Sequence, residues 1–324
     1  MHFFKVFGAA LLSLAAASVS HAQASYPSKP IVWTVPWSAG GSADLASRTI
    51  AAELSKQLGQ PVSIDNIGGG GGMVGLSKFL LSAPDGYSIY LGGTELYVPT
   101  MLNPNVRTNW KATMTPVAQT AILPMVLATR ASAPFSTLEE FTKYVKANPG
   151  RVSYASPGIG SGQHMLGEMM RDRAKLAMVH IPYRGGAQIV TDLLGGTIDV
   201  AVLIGSTALP HVRNGKLKVL AVADAARIPL FPNAPTFSET KEYAGVSLAP
   251  WQGIFLPAGA PPAVVERLSK AIEVSLKNDE VRAKLEEAGF KINFANQAKL
   301  VQFMEADALK YKRIVDATGM KVTE

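Results

Sequence analysis

The chain has 324 residues, 48% of them apolar and 17% charged, with a formal net charge of +7 and no cysteine. That composition supports a substantial core and roughly two domains, and it excludes a disordered chain. Without cysteine there are no disulfides, no thiol catalysis and no cysteine-borne lipid anchor, and the modest, scattered positive charge suits attraction of a small anion rather than a nucleic-acid interface.

In chain order, Lys5 precedes an apolar or small-residue run from Val6 to Ser20. Ser20-His21-Ala22 and Ala22-Gln23-Ala24 then offer small-x-small cleavage sites. The run is short for a span of about 20 residues, so residues 1–24 read as a secretory signal peptide cut near Ala22 or Ala24. The mature chain is expected in a bacterial periplasm.

From there β-rich and helix-like runs alternate. Strands are expected at Ile31–Pro36, Val62–Asp65 and Tyr87–Gly92. Between them, Ser42–Leu58 carries Ala46, Ile50, Leu54 and Leu58 on one stripe with Gly59 as a stop, and Met73–Leu81 is also helix-like. The middle repeats the pattern, with strands at Pro124–Thr129, Val152–Ala155, Met178–Ile181, Asp199–Ile204 and Leu217–Val222. Helices are expected at Thr137–Ala147, capped by Thr137, at Ser161–Arg173 and at Ala187–Leu194. Residues 226–260 form a proline-rich connection around a strand-like Trp251–Leu256, and the remainder reads as helical. Strand–helix–strand order predicts parallel sheets with helices on both faces. Two such units, one interrupting the other, predict a clam-shaped α/β protein with its ligand at the strand C-termini.

Residues 64–75, I-D-N-I-G-G-G-G-G-M-V-G, pose a sharper question. Gly70 and Gly75 have the glycine spacing of a P-loop, but Leu76-Ser77 stands where its lysine and hydroxyl belong. Gly70, Gly72 and Gly75 match a dinucleotide fingerprint, with Glu95 about 20 residues on. A run of glycines matches many such patterns, Glu95 falls in a loop past Gly92-Gly93-Thr94, and an exported protein meets little nicotinamide cofactor. What remains is a helix N-terminus suited to an anion and a backbone free to approach a ligand.

The same feature recurs. Trp37-Ser38-Ala39-Gly40-Gly41-Ser42, with Ser42 as a cap, is a second strand-to-helix turn. Ser156 through Gly160, Ser161, Gly162 and His164 is a third, and Tyr183-Arg184-Gly185-Gly186 a fourth. Gly93 and Thr94 end another strand. Several such turns spread over two units point to a cleft that binds a carboxylate. No G-x-S-x-G elbow and no H-E-x-x-H occurs, and His164, His180 and His211 lack metal-ligand spacing. No cofactor or metal is expected. His180 and His211 read as structural, His164 as facing a ligand.

Taken together these stretches resemble the substrate-binding proteins of tripartite tricarboxylate transporters, the Bug-type receptors. The resemblance runs through Tyr26-Pro27-Ser28-Lys29-Pro30, Pro36–Asp44, Leu58-Gly59-Gln60-Pro61, Asn66–Gly75, Ala83-Pro84-Asp85-Gly86-Tyr87, His180–Gly185, Asp192–Gly196, Ala208-Leu209-Pro210-His211 and Pro257-Ala258-Gly259. It implies a type II Venus-flytrap periplasmic binding protein, each domain a mixed, mostly parallel sheet flanked by helices. The expected domains are residues 25–126 plus 250–324 and residues 127–249, hinged near Leu127 and Trp251. It implies a monomeric receptor, not an enzyme, that hands a small carboxylate to a large and a small membrane subunit. The implied ligand loops are Trp37–Ser42, Gly68–Gly72, Ser156–His164, Tyr183–Gly185 and the stretch after Val202 holding Leu203, Ile204 and Gly205.

Two departures bear on the ligand. Trp37 and Ala39 stand where relatives carry phenylalanine and proline, and Leu203-Ile204 replaces a polar Asp-Asn pair. An apolar wall favours an aromatic mono- or dicarboxylate such as terephthalate, with citrate or a C4 dicarboxylate as the alternative. A sensor feeding a signalling system would use the same cleft.

Overall fold

A computed structural model describes residues 26–106 and 108–319; the expected signal peptide lies outside them. The first half-sheet is built by β1 (Ile31–Val35), α1 (Ser42–Leu58), β2 (Val62–Asn66), α2 (Met73–Phe79) and β3 (Ser88–Gly92). On α1, Ala46, Ile50, Leu54 and Leu58 are buried as their four-residue spacing predicts, and Gly59 closes the helix at φ 70°. A tight turn over Gly70–Gly72 leads into α2. A second over Thr94–Leu96 precedes α3 (Val98–Leu102), α4 (Trp110–Thr113) and β4 (Met114–Ile122).

The chain then leaves this sheet. The second sheet takes β5 (Met125–Arg130), β6 (Val152–Ser156), β7 (Met178–Pro182), β8 (Val200–Ile204) and β9 (Leu217–Val222). Its helices are α5 (Leu138–Ala147), α6 (Gly162–Ala174), α7 (Gly186–Gly195) and α8 (Gly205–Arg213). Thr137 caps α5 in a reciprocal box: its hydroxyl accepts from Glu140 N while the Glu140 carboxylate accepts from Thr137 N. After a long irregular segment the chain returns to the first sheet with β10 (Trp251–Pro257), α9 (Pro262–Lys277), α10 (Asp279–Glu287), β11 (Lys291–Asn296) and α11 (Gln297–Thr318).

The strand orders are β11-β4-β10-β3-β1-β2 and β7-β6-β8-β5-β9. Parallel pairing is confined to β2-β1-β3 and β7-β6-β8. The strands that flank the passages between the sheets, β4, β5, β9 and β10, pair only antiparallel, as does β11. Both sheets are therefore mixed, with a smaller parallel share than expected.

Two strands escaped the sequence reading. β4 mixes threonine, glutamine and a proline, and Pro116 pairs with Phe255 beside a register shift where a missing N–H is tolerated. β11 corrects the expectation of an all-helical C-terminal part. Its six residues sit between two helices, and the Phe290 and Ala295 contacts that recruit it come from elsewhere in the fold.

The passages between sheets lie at Leu123-Pro124 and just before Trp251, where Leu123 N donates to Pro250 O at 2.8 Å. α11 runs against β4 and reaches α6 of the other half.

Candidate functional site

The C-terminal ends of β1, β3, β6 and β8 and the start of β10 face one cavity between the two sheets, the position expected for a ligand site in an open α/β sheet. The space open to the centre of a water molecule is about 70 Å³, room for roughly five waters. Its apolar wall comes from Trp37, Leu91, Leu123, Ile189, Val202, Ile204 and Trp251.

Four helices present their first turns to it: α1 through Gly41, Ser42 and Ala43, α6 through Gly162 and Gln163, α7 through Gly185 and Gly186, and α8 through Ile204 and Thr207. Each first turn carries N–H groups without intrahelical acceptors and the positive end of a helix dipole. Ser161 caps α6, its Oγ accepting from His164 N at 3.2 Å. The N-cap positions of the other three, Gly41, Gly185 and Ile204, have no side-chain cap. Gly205 N is taken by Pro124 O at 2.8 Å. Uncapped termini converging on one cavity form an anion-binding arrangement without a cation. Among the described residues, no lysine, arginine or histidine lines it.

Gln252 and Glu95 are among the buried polar side chains that line it. Gln252 is 6% exposed, and its buried Oε1 has no hydrogen-bond partner. Glu95, 3% exposed, is the single ionisable residue among the described lining residues. Its Oε1 accepts from Gly93 N at 2.9 Å and from the Tyr90 hydroxyl at 3.3 Å. Burial pushes its carboxyl up to about 7, against the opposing pull of its own backbone N–H and of those two hydrogen bonds.

The glycine run does not cradle a phosphate; it forms a seam. Gly71 has φ 63°, and a Cβ there would lie 2.1 Å from the carbonyl oxygen of Ile159 in the facing half. Gly158, opposite, would place its own Cβ 2.8 Å from Gly71 Cα. Glycine on both sides lets two backbones touch across the cleft. Gly72 does the same for the cavity wall: its Cβ would meet Glu95 Cγ at 2.9 Å.

Of the expected ligand residues, Trp37, Gly41, Ser42, Gly93, Thr94, Gly162, Leu203 and Ile204 line the cavity. The others sit around it. Ala39 and Gly40 are exposed, with Gly40 N held by Asp44 at 2.9 Å. Ser38 Oγ donates to Arg184 O across the cleft at 3.3 Å, while the Arg184 side chain is exposed. The Tyr183 hydroxyl donates to Asp192 at 2.6 Å, which turns it away from the cavity. Gly160 abuts Pro99, and Gly205 abuts Leu230 and Phe231. Ser156 Oγ lies 2.7 Å from His180 Nε2. That distance suits a nucleophile and base, but neither group lines the cavity. The His164 ring lies tilted against His180, centroids 4.5 Å apart, and its Nδ1 accepts from Gly160 N at 3.3 Å. Glu95, Gln163, Thr207, Trp251 and Gln252 were missed as lining residues. Glu95 had a signal in its place directly after Gly93-Thr94; Gln252, on a strand recruited from the far end of the chain, had none.

The comparisons agree on one family. Residues 46–320 match the model of the tripartite tricarboxylate transporter family receptor. Protein BugT of Bordetella pertussis is 31% identical over 300 residues, covering 92% of each chain. MatC from Rhodopseudomonas palustris, solved with bound malate, superposes with a TM-score of 0.84 at 28% identity, over 90% of this chain and 100% of that one. Rpa4515 of the same organism, solved with adipate, gives 0.87 at 25% identity, over 91% and 99%.

Proposed function

The chain belongs to the tripartite tricarboxylate transporter receptor family, and from that premise we propose that it captures a small carboxylate in the cavity between its two sheets. Members of this family are substrate-binding receptors, not enzymes. The observation that carries the ligand class is the convergence of three uncapped helix N-termini on a cavity with no cationic side chain among its described lining residues. A carboxylate taken from water needs hydrogen bonds to replace its hydration. Backbone N–H groups supply them and release the ligand more readily than a bidentate arginine would.

The walls favour a flat or apolar body. Trp37 and Trp251 lie on one side, Leu203 and Ile204 on the other. An aromatic mono- or dicarboxylate such as terephthalate fits that chemistry. The malate and adipate held by the relatives define the compact and the extended aliphatic alternatives. The receptor works in the periplasm as a monomer after cleavage near Ala22 or Ala24, and it passes its ligand to a large and a small membrane subunit. Its moving bodies are residues 25–126 with 250–324, and 127–249.

A thermal-shift screen of mature, refolded protein tests this. Refolding removes any captured acid. A ligand at about 100 times its dissociation constant stabilises by about 2.7 kcal/mol. A shift restricted to aromatic acids supports the full proposal. A shift with malate, adipate or citrate alone keeps the receptor and rejects the aromatic specificity. No shift with any carboxylate rejects the ligand class.

A further inference from the structure

The cavity that should hold an anion contains a carboxyl group of its own. Three features of Glu95 bear on how both fit. First, it is almost completely enclosed, so an anionic form would meet a bound carboxylate with little water between them. Secondly, the two donors that reach it from other residues, Gly93 N and the Tyr90 hydroxyl, both go to Oε1, while its own backbone N–H also acts on the carboxyl. Oε2 is thus the oxygen that no other residue occupies, and the one open to a proton. Thirdly, Gly72 leaves the space in which the side chain lies, since a Cβ there would collide with Glu95 Cγ. The glycine seam and the acid are built as one wall.

Among the described residues, no cationic side chain lies against it to offset a charge. β3 brings Tyr90; the glycine turn, the Trp37 loop and β10 bring no ionisable group to it. Asp44 is paired with Arg48 at 2.8 Å and Lys78 with Asp65 at 3.2 Å. Asp307 accepts from Tyr97 and Trp251. Across the cleft the His164 ring turns to His180, and Arg184 is exposed.

We infer that Glu95 is a specificity-determining acid that holds the ligand carboxylate in its protonated form, donating a hydrogen bond from Oε2, so that each capture retains or takes up one proton. This rests on the carboxylate-binding reading above. The burial that raises its titration to about 7 in the empty cavity has the same sense. An anion bound beside it raises that value further. The helix termini then hold charge, and Glu95 selects an acceptor oxygen at a fixed place. Binding weakens wherever the acid must first be reprotonated.

The test uses the mature, refolded wild-type chain and whichever of malate, adipate and terephthalate gives the largest thermal shift. Isothermal calorimetry from about pH 6.5 to about pH 8.5, where the free ligand carboxylates are ionised, reads affinity. Repeating it in two buffers of different ionisation enthalpy counts protons. The expected result is a dissociation constant that rises towards tenfold per pH unit above about 7, with proton uptake approaching one. E95Q keeps a donor and loses the titration; it should bind with a pH-independent constant. A wild-type constant that is flat or tightens with pH, without proton uptake, overturns the inference while leaving the receptor intact, and that result needs no variant to fold. Failure of every acid to bind at any pH removes the carboxylate reading, and the inference with it.

Discussion

Replacing Gly71 with alanine should separate closure of the cleft from folding. The added Cβ would sit 2.1 Å from Ile159 O and 3.2 Å from Ile159 C. Ordinary contact needs the facing loop to retreat by about 1 Å, and closely packed surfaces resist such shifts at about 1–3 kcal/mol. The variant also bears the cost of a left-handed residue, since φ is 63°, on the order of 1 kcal/mol. That second cost is common to open and closed forms and falls on stability alone. Gly70 supplies the control: φ is 57°, and its nearest neighbour would be Met73 Cβ at an unstrained 3.6 Å. G70A and G71A should therefore lose similar stability by chemical denaturation. Only G71A should lose affinity for the screened acid, by about 5- to 150-fold at 1.4 kcal/mol per decade. Small-angle scattering should show less compaction of G71A at saturating ligand. Equal affinities for the two variants would refute the seam.

Three further outcomes follow from named contacts. T137A should cost about 1 kcal/mol of stability through loss of the Glu140 cap, measured by denaturation, with ligand affinity unchanged because α5 does not reach the cavity. Glu95 titrates near 7 in the folded chain against an ordinary 4.5; a raised acid contributes stability fully below about pH 4.5 and loses it as pH rises through about 7. About 3 kcal/mol is at stake at 1.36 kcal/mol per pKa unit, so a melting-temperature profile of E95Q should lack the wild-type decline over that window. His180, pushed down to about 3 by burial and by the neighbouring His164 and Arg171, carries the opposite sign. Its contribution is present above about pH 6.5 and is lost as pH falls towards 3, and H180F should flatten that acid limb.

Much of the fold was legible because local signals and tertiary burial coincide. The stripe on α1, the Thr137 cap and the buried run Val200–Ile204 each state in a few residues what the neighbours then satisfy. β4 and β11 carried no such signal, since their pairing partners lie far away in the chain. The turns before α1, α6 and α7 were readable as anion-facing because hydroxyls and glycines at a helix start have local physical consequences.

Which turn residues face inward was another matter. Ser156, His164 and Tyr183 have the chemistry of ligand contacts, yet His180, Gly160 and Asp192 engage them instead. The sequence alone determined the α/β class, the family and the abundance of glycine-rich helix starts, all set by residues close along the chain. Only the tertiary structure decided that Gly71 of the glycine run meets Ile159 across the cleft, and that Glu95 and Gln252 share one cavity. Those relations depend on backbones brought together from opposite halves of the molecule, and no short stretch of sequence encodes the distance between them.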